Sequence, residues 1–249
     1  MSPNGGALIA THETGTRDAA NGKLPDFALA DVFGVALQGP GDVSNCYLRA
    51  TPELKPFGIP TMDVEAGGSY TKVALTTARK LLDLVPPYKG TKGGPPDTQP
   101  GGPGVTLNIY GKGKGIYCST DLFGEYFDKD TPNMRKLAAW MLARVYPTES
   151  RLVVMENTPV AVEMFYNERP GERFIHLVNY SGDKRDIGTP QVQDFPVTQG
   201  MRVKVTLDRK PASLALIPEG KTVNFTWSGG WMTFEARPLR IHDVYRIVL

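Results

Sequence analysis

The chain has 249 residues, of which 41% are hydrophobic and 22% charged, with 28 basic side chains against 26 acidic ones. That balance is ordinary for a globular protein and excludes disorder throughout. A net charge of +2 with no Lys/Arg run argues against a nucleic-acid or membrane-surface partner.

No apolar run approaches the roughly 18 residues that a membrane-spanning helix needs. Residues 1–15 lack the basic leader and the long apolar stretch of a signal peptide, so the expectation is a cytoplasmic protein. The first element is "ALIAT" (7–11), a short apolar strand bounded by turn residues and suited to a parallel sheet. A polar stretch with an Asn-Gly turn follows. "PDFALADVFGV" (25–35) predicts a short helix stopped by Gly34. "NCYLRA" (45–50), "TKVAL" (71–75) and "RKLLDLV" (79–85) predict strands, the last with a helical turn as its alternative. Residues 86–104 are dominated by Gly and Pro and predict a long flexible surface loop. "VTLNIY" (105–110) and "GIYCST" (115–120), joined by Gly and Lys, predict a hairpin, followed by a loop carrying Asp121 and Glu125.

"TPNMRKLAAWMLARVYP" (131–147) predicts the clearest helix. Thr131 stands at the N-cap and Pro132 at the first helical position, where its missing N–H costs nothing. Met134, Leu137, Met141 and Val145 form one apolar stripe, and Pro147 stops the helix. After residue 150 the period changes to two. In 201–207, Val203, Val205 and Leu207 alternate with Arg202, Lys204 and Thr206. Residues 172–180, 213–217, 222–227, 231–236 and 242–249 read alike, with Ser-Gly-Gly turning one hairpin. Regular short strands of this kind predict a β-sandwich, with the domain division near 148.

The candidate chemistry is sparse. The glycines at 111, 113 and 115 lie between two strands, so they turn a hairpin rather than cradle a phosphate at a helix N-terminus. Ligand sites in open α/β sheets gather at the C-terminal ends of strands. His12 and Glu13 follow one predicted strand; Asp121 and Glu125 follow another. If both strands are parallel members of one sheet, these four residues converge for general acid–base work or to hold a hard cation such as Ca²⁺. The alternative is that Asp121 caps a turn and Glu125 is solvated. Ser69 and Lys72 match S-x-x-K, but that motif needs a helical turn, and 69–72 reads as a loop entering a strand. The two cysteines, Cys46 and Cys118, are too few for a disulfide scaffold or a structural zinc site. His176 reads as a strand histidine, and no two of the three histidines have ligand spacing. Trp227 and Trp231 flank one turn and suit either core packing or carbohydrate binding.

"NGGALIATHETGTRD…GKLPDFALADVFGV", "YGKGKGIYCSTDLFGEYF" and "FIHLVNYSGDKR" with a terminal "RIHDVYRIVL" together resemble the trimerisation-domain family of β-galactosidases and related glycoside-hydrolase-like proteins. The resemblance covers nearly the full length. It implies an incomplete flavodoxin-like, class I glutamine-amidotransferase-like α/β domain over 1–148, then a small all-β sandwich over 149–249. It also implies an assembly role rather than amidotransferase chemistry. In that family the glycosidase carboxylates belong to a (β/α)₈ barrel of about 250 residues, which this sequence lacks. The family's α/β domain begins with further strands and helices. Without them an edge stays open, which implies self-association or completion by a barrel-containing chain. The competing expectation is a small stand-alone hydrolase of an ester, lactone or glycoside.

Overall fold

The computed structural model describes residues 5–90, 93–129, 131–147, 151–159, 161–182 and 194–249. They form two compact units, Met1–Pro147 and Thr148–Leu249.

The first unit runs β1 (Ala7–Thr11), α1 (Ala30–Phe33), β2 (Val35–Pro40), β3 (Cys46–Leu48), β4 (Val64–Gly67), β5 (Thr71–Leu75), β6 (Arg79–Val85), β7 (Gly102–Tyr110), β8 (Gly113–Cys118), α2 (Leu122–Lys129) and α3 (Pro132–Val145). A six-stranded sheet has the order β1-β8-β7-β6-β3-β4, and β2 pairs with β5 separately. The parallel sheet expected from sequence is present only as the β1–β8 ladder; the other ladders of this sheet are antiparallel. The architecture is therefore a mixed, mostly β one. Because strand side chains alternate, the β1–β8 pair feeds two cores. Ile9, Ile116 and Cys118 join α3 on one face. Ala10 and Tyr117 join Phe27 and Phe33 on the other.

The hairpin β7–β8 turns at Gly111, whose φ of +56° lies in the left-handed region. Gly115 has a different reason to be glycine: a Cβ there would stand 2.5 Å from the Val32 carbonyl oxygen, so its absence lets α1 lie directly on β8. The helix predicted over 25–35 shortens to α1, because Asp26 Oδ1 accepts the N–H groups of Phe27 and Leu37 and so ties the preceding turn to β2. Gly34 stops α1 in the left-handed conformation, as its sequence position suggests. The loop expected after β8 is instead α2. The Gly/Pro-rich stretch is shorter than expected, since Gly102–Gly104 belong to β7. Its preceding residues are held by bonds from Arg49 to the Asp97 and Thr98 carbonyls and from Tyr47 Oη to Gly94 O. In α3, Met134, Leu137, Trp140, Met141 and Val145 are buried. Thr131 stands at the N-cap, but its side chain makes no capping bond.

The second unit runs β9 (Val153–Glu156), β10 (Val162–Arg169), β11 (Glu172–Asn179), β12 (Arg202–Thr206), β13 (Ser213–Ile217), β14 (Lys221–Thr222), β15 (Thr226–Ser228), β16 (Trp231–Glu235) and β17 (His242–Val248). A five-stranded sheet of order β10-β11-β17-β13-β14 and a four-stranded one of order β15-β16-β12-β9 share one core. Ile175, Leu214, Tyr245 and Ile247 from the first meet Val203, Val205, Met232 and Phe234 from the second. Trp227 packs against this core, while Trp231 is half-buried. Among the described residues no helix is long and apolar enough to cross a membrane.

Candidate functional site

Parallel pairing of β1 and β8 brings the C-terminal ends of both strands to the same end of the sheet, where His12 and Glu13 follow one strand and Asp121 and Glu125 the other. Just past β1, His12 donates its N–H to Cys118 O at 2.8 Å, and its own carbonyl accepts from Tyr117 Oη at 2.6 Å. His12 has φ +49°, which turns the chain away from the sheet. Glu13 is exposed and lines a cleft of about 170 Å³ together with Thr16, Arg17, Lys23, Leu24 and Thr71.

Past β8, Asp121 Oδ1 accepts the Gly124 N–H at 3.2 Å, so it caps the start of α2. The Glu125 side chain is only 14% exposed and pairs with Lys129 at 2.5 Å, one helical turn on. Its carboxylate lies against Gly67 and Gly68, where a Cβ on either glycine would collide with it. Glu125 is thus packed and paired, where the alternative expected from sequence was a solvated side chain. The Glu125/Lys129 spacing was legible, but it carries meaning only once the segment is helical.

Tyr70 bridges to Thr120 and Thr71 N–H donates to Ser119 O at 2.8 Å, which lays the start of β5 along the end of β8. Among the described residues no hydrogen bond or ion pair joins His12 or Glu13 to Asp121 or Glu125. Among the described residues no group of three or more His, Cys, Asp or Glu is placed to hold a metal ion.

Ser69 and Lys72 lie on extended backbone entering β5, not on a helical turn. Lys72 pairs with Asp42, and this hydrogen bond holds its pKa above the ordinary lysine value. An activating lysine needs the opposite shift. The thiols are equally committed. Burial pushes Cys46 up to about 12, with its Sγ 3.5 Å from the Gly67 carbonyl oxygen. Burial also raises Cys118, whose Sγ lies 3.3 Å from Thr120 Oγ1. Since the thiolate is the nucleophile, both should be inert. Ellman's reagent at pH 8 is expected to detect neither thiol in the native chain and both after denaturation. Rapid native labelling of Cys46 would show that its cover opens.

No family model and no curated protein matches this sequence. Among solved structures, the fold is similar to part of alpha-L-fucosidase isoenzyme 2 from Paenibacillus thiaminolyticus, with a TM-score of 0.76, 19% identity, and coverage of 98% of this chain and 36% of that one. It is also similar to part of the beta-galactosidase from Bacillus circulans sp. alkalophilus, with a TM-score of 0.57, 16% identity, and coverage of 99% and 30%. The cold-adapted beta-galactosidase from Rahnella sp. R3 gives a TM-score of 0.57, 16% identity, and coverage of 99% and 29%. The chain thus spans roughly a third of the length of these proteins. What these likenesses show is a fold shared with part of a fucosidase and part of two beta-galactosidases.

Proposed function

We propose that this chain is an accessory region of a glycoside-hydrolase-related protein, serving assembly and carrying no glycosidase centre of its own. The observation that carries this reading is the coverage: 98% of the chain corresponds to 36% of a fucosidase. The commitment of Asp121, Glu125, Lys72, Cys46 and Cys118 to structural contacts supports it. On this reading the first unit is a relative of flavodoxin-like, class I glutamine-amidotransferase-like domains of the trimerisation type, with the β1–β8 ladder as its parallel element. Its partner is a second copy of the chain or a barrel-containing chain. Phe123 and Phe127, one turn apart on α2 and 46% and 88% exposed, are suited to that contact.

Light scattering on the purified chain should find a stable oligomer, and aryl glycosides and aryl esters should not be turned over. A monomer with turnover that survives repurification would overturn the proposal. The cleft beside Glu13 favours a second reading, a small hydrolase of an ester, lactone or glycoside working at the strand ends with His12, Glu13, Asp121 and Glu125. If turnover is found, the double variant Asp121→Asn/Glu125→Gln should lower it at least tenfold on that reading; unchanged turnover removes both carboxylates from the chemistry.

A further inference from the structure

Two of the chain's three histidines meet in the sandwich, although they are 66 residues apart in sequence. His176 on β11 pairs in register with Val244, and His242 on β17 pairs with Val178. The two histidines are diagonal neighbours on adjacent antiparallel strands, and both project from the outer face. Ile175, Leu177, Asp243 and Tyr245, which flank them in sequence, are buried on the other side. Both strands are interior members of the five-stranded sheet, held by a neighbour on each side, so the backbone under the pair is fixed. His176 is half-buried and His242 exposed, which leaves the pair open to solvent ions.

Nδ1 of His176 stands 3.2 Å from Nε2 of His242, with ring planes 15° apart and centroids 5.4 Å apart. Two ring nitrogens at this separation share one proton, one ring donating and the other accepting. The same separation suits metal ligation. A metal with N ligands at about 2.0–2.1 Å holds two neighbouring ligand nitrogens about 2.9 to 3.4 Å apart, from square to tetrahedral angles. Imidazole is the preferred protein ligand of Zn²⁺ and Cu²⁺ and a poor one for the oxygen-seeking Mg²⁺ and Ca²⁺.

We propose that His176 and His242 form a two-ligand surface site for a divalent transition-metal ion, Zn²⁺ or Cu²⁺, with solvent completing the coordination sphere. The rings tilt so that both lone pairs point at the ion. The shared proton passes through solvent to the far nitrogen of its own ring, so each imidazole stays neutral and no proton is lost. Burial, and then the neighbouring His242, lower the pKa of His176 and favour its neutral, ligating form. Glu163 on β10 lies opposite Val178 on this same face and adds a negative charge near a cation. Histidines this far apart have no ligand spacing in sequence. The proposal is also independent of the assembly reading, since it concerns only the sandwich.

The test is calorimetric titration of the tag-free full chain with ZnCl₂. One ion per chain is expected to bind, with a matching rise in the thermal midpoint. His176→Gln and His242→Gln should each weaken binding at least tenfold, while His12→Gln should leave it unchanged and MgCl₂ should not bind. Zinc should also shift the imidazole NMR signals of two of the three histidines in the unaltered chain, a readout that needs no variant to fold. No binding at millimolar zinc, or binding that survives the double histidine variant, would overturn the site.

Discussion

Trp140→Ala is expected to destabilise the first unit by about 3–5 kcal/mol, the usual loss when a large buried aromatic is truncated. Trp140 is 1% exposed and sits in α3 among Leu137, Met141 and the apolar side chains of the sheet. The cavity would open between helix and sheet, where rigid strands on one side limit collapse. For a unit of this size each kcal/mol lowers the thermal midpoint by about 2–4 °C, so a fall of roughly 10 °C is expected. Trp140→Phe should cost far less, because among the described residues the indole Nε1 has no hydrogen-bond partner to lose. Far-UV circular dichroism is the suitable measurement, since the substitution removes the first unit's one tryptophan. A midpoint within 2 °C of the parent protein would mean that α3 is not packed on the sheet as described.

Arg237→Ala should cost the sandwich about 3 kcal/mol, the low end of the range for breaking a buried ion pair. Asp243 is only 5% exposed, and Arg237 grips it through Nε to Oδ2 at 3.0 Å and Nη2 to Oδ1 at 2.7 Å. That two-point bond is also the main reason that the guanidinium pKa is raised. Removing the arginine leaves a buried carboxylate without its ion-pair partner. The lower figure applies because the Arg237 side chain is itself 45% exposed, so water reaches part of the vacated space. Arg237 further donates its backbone N–H to Tyr245 Oη at 2.9 Å, which fixes the connection between β16 and β17. Urea unfolding followed by the fluorescence of Trp227 and Trp231 would measure the loss. The paired change Arg237→Met/Asp243→Leu should restore most of it, since no unpaired charge then remains. A single variant within 0.5 kcal/mol of the parent would show that Asp243 is hydrated without its arginine.

The helix α3 was legible because Thr131, Pro132 and a stripe at helical spacing act within a few turns. The turn of β7–β8 was legible because glycine tolerates the backbone angles that it needs. The helix α2 was not, since Gly124 lies inside it and its two phenylalanines face solvent, which blurs the apolar stripe. Strands β2, β4, β9 and β10 also passed unread; β9 is too short, and the outer face of β10 too mixed, for alternation to stand out.

By itself the sequence determined the helix α3, the β7–β8 turn, the change of period after residue 150 and the poverty of nucleophiles. Each depends on sterics and side-chain chemistry within a short span. Only the tertiary structure decided that β1 lies beside β8, that Glu125 packs on Gly67 and Gly68, that Arg237 grips Asp243 and that His176 meets His242. Those contacts depend on which distant strands pair and in which register. A shift of one residue would turn His176 from the outer face into the core, and no local pattern fixes that choice.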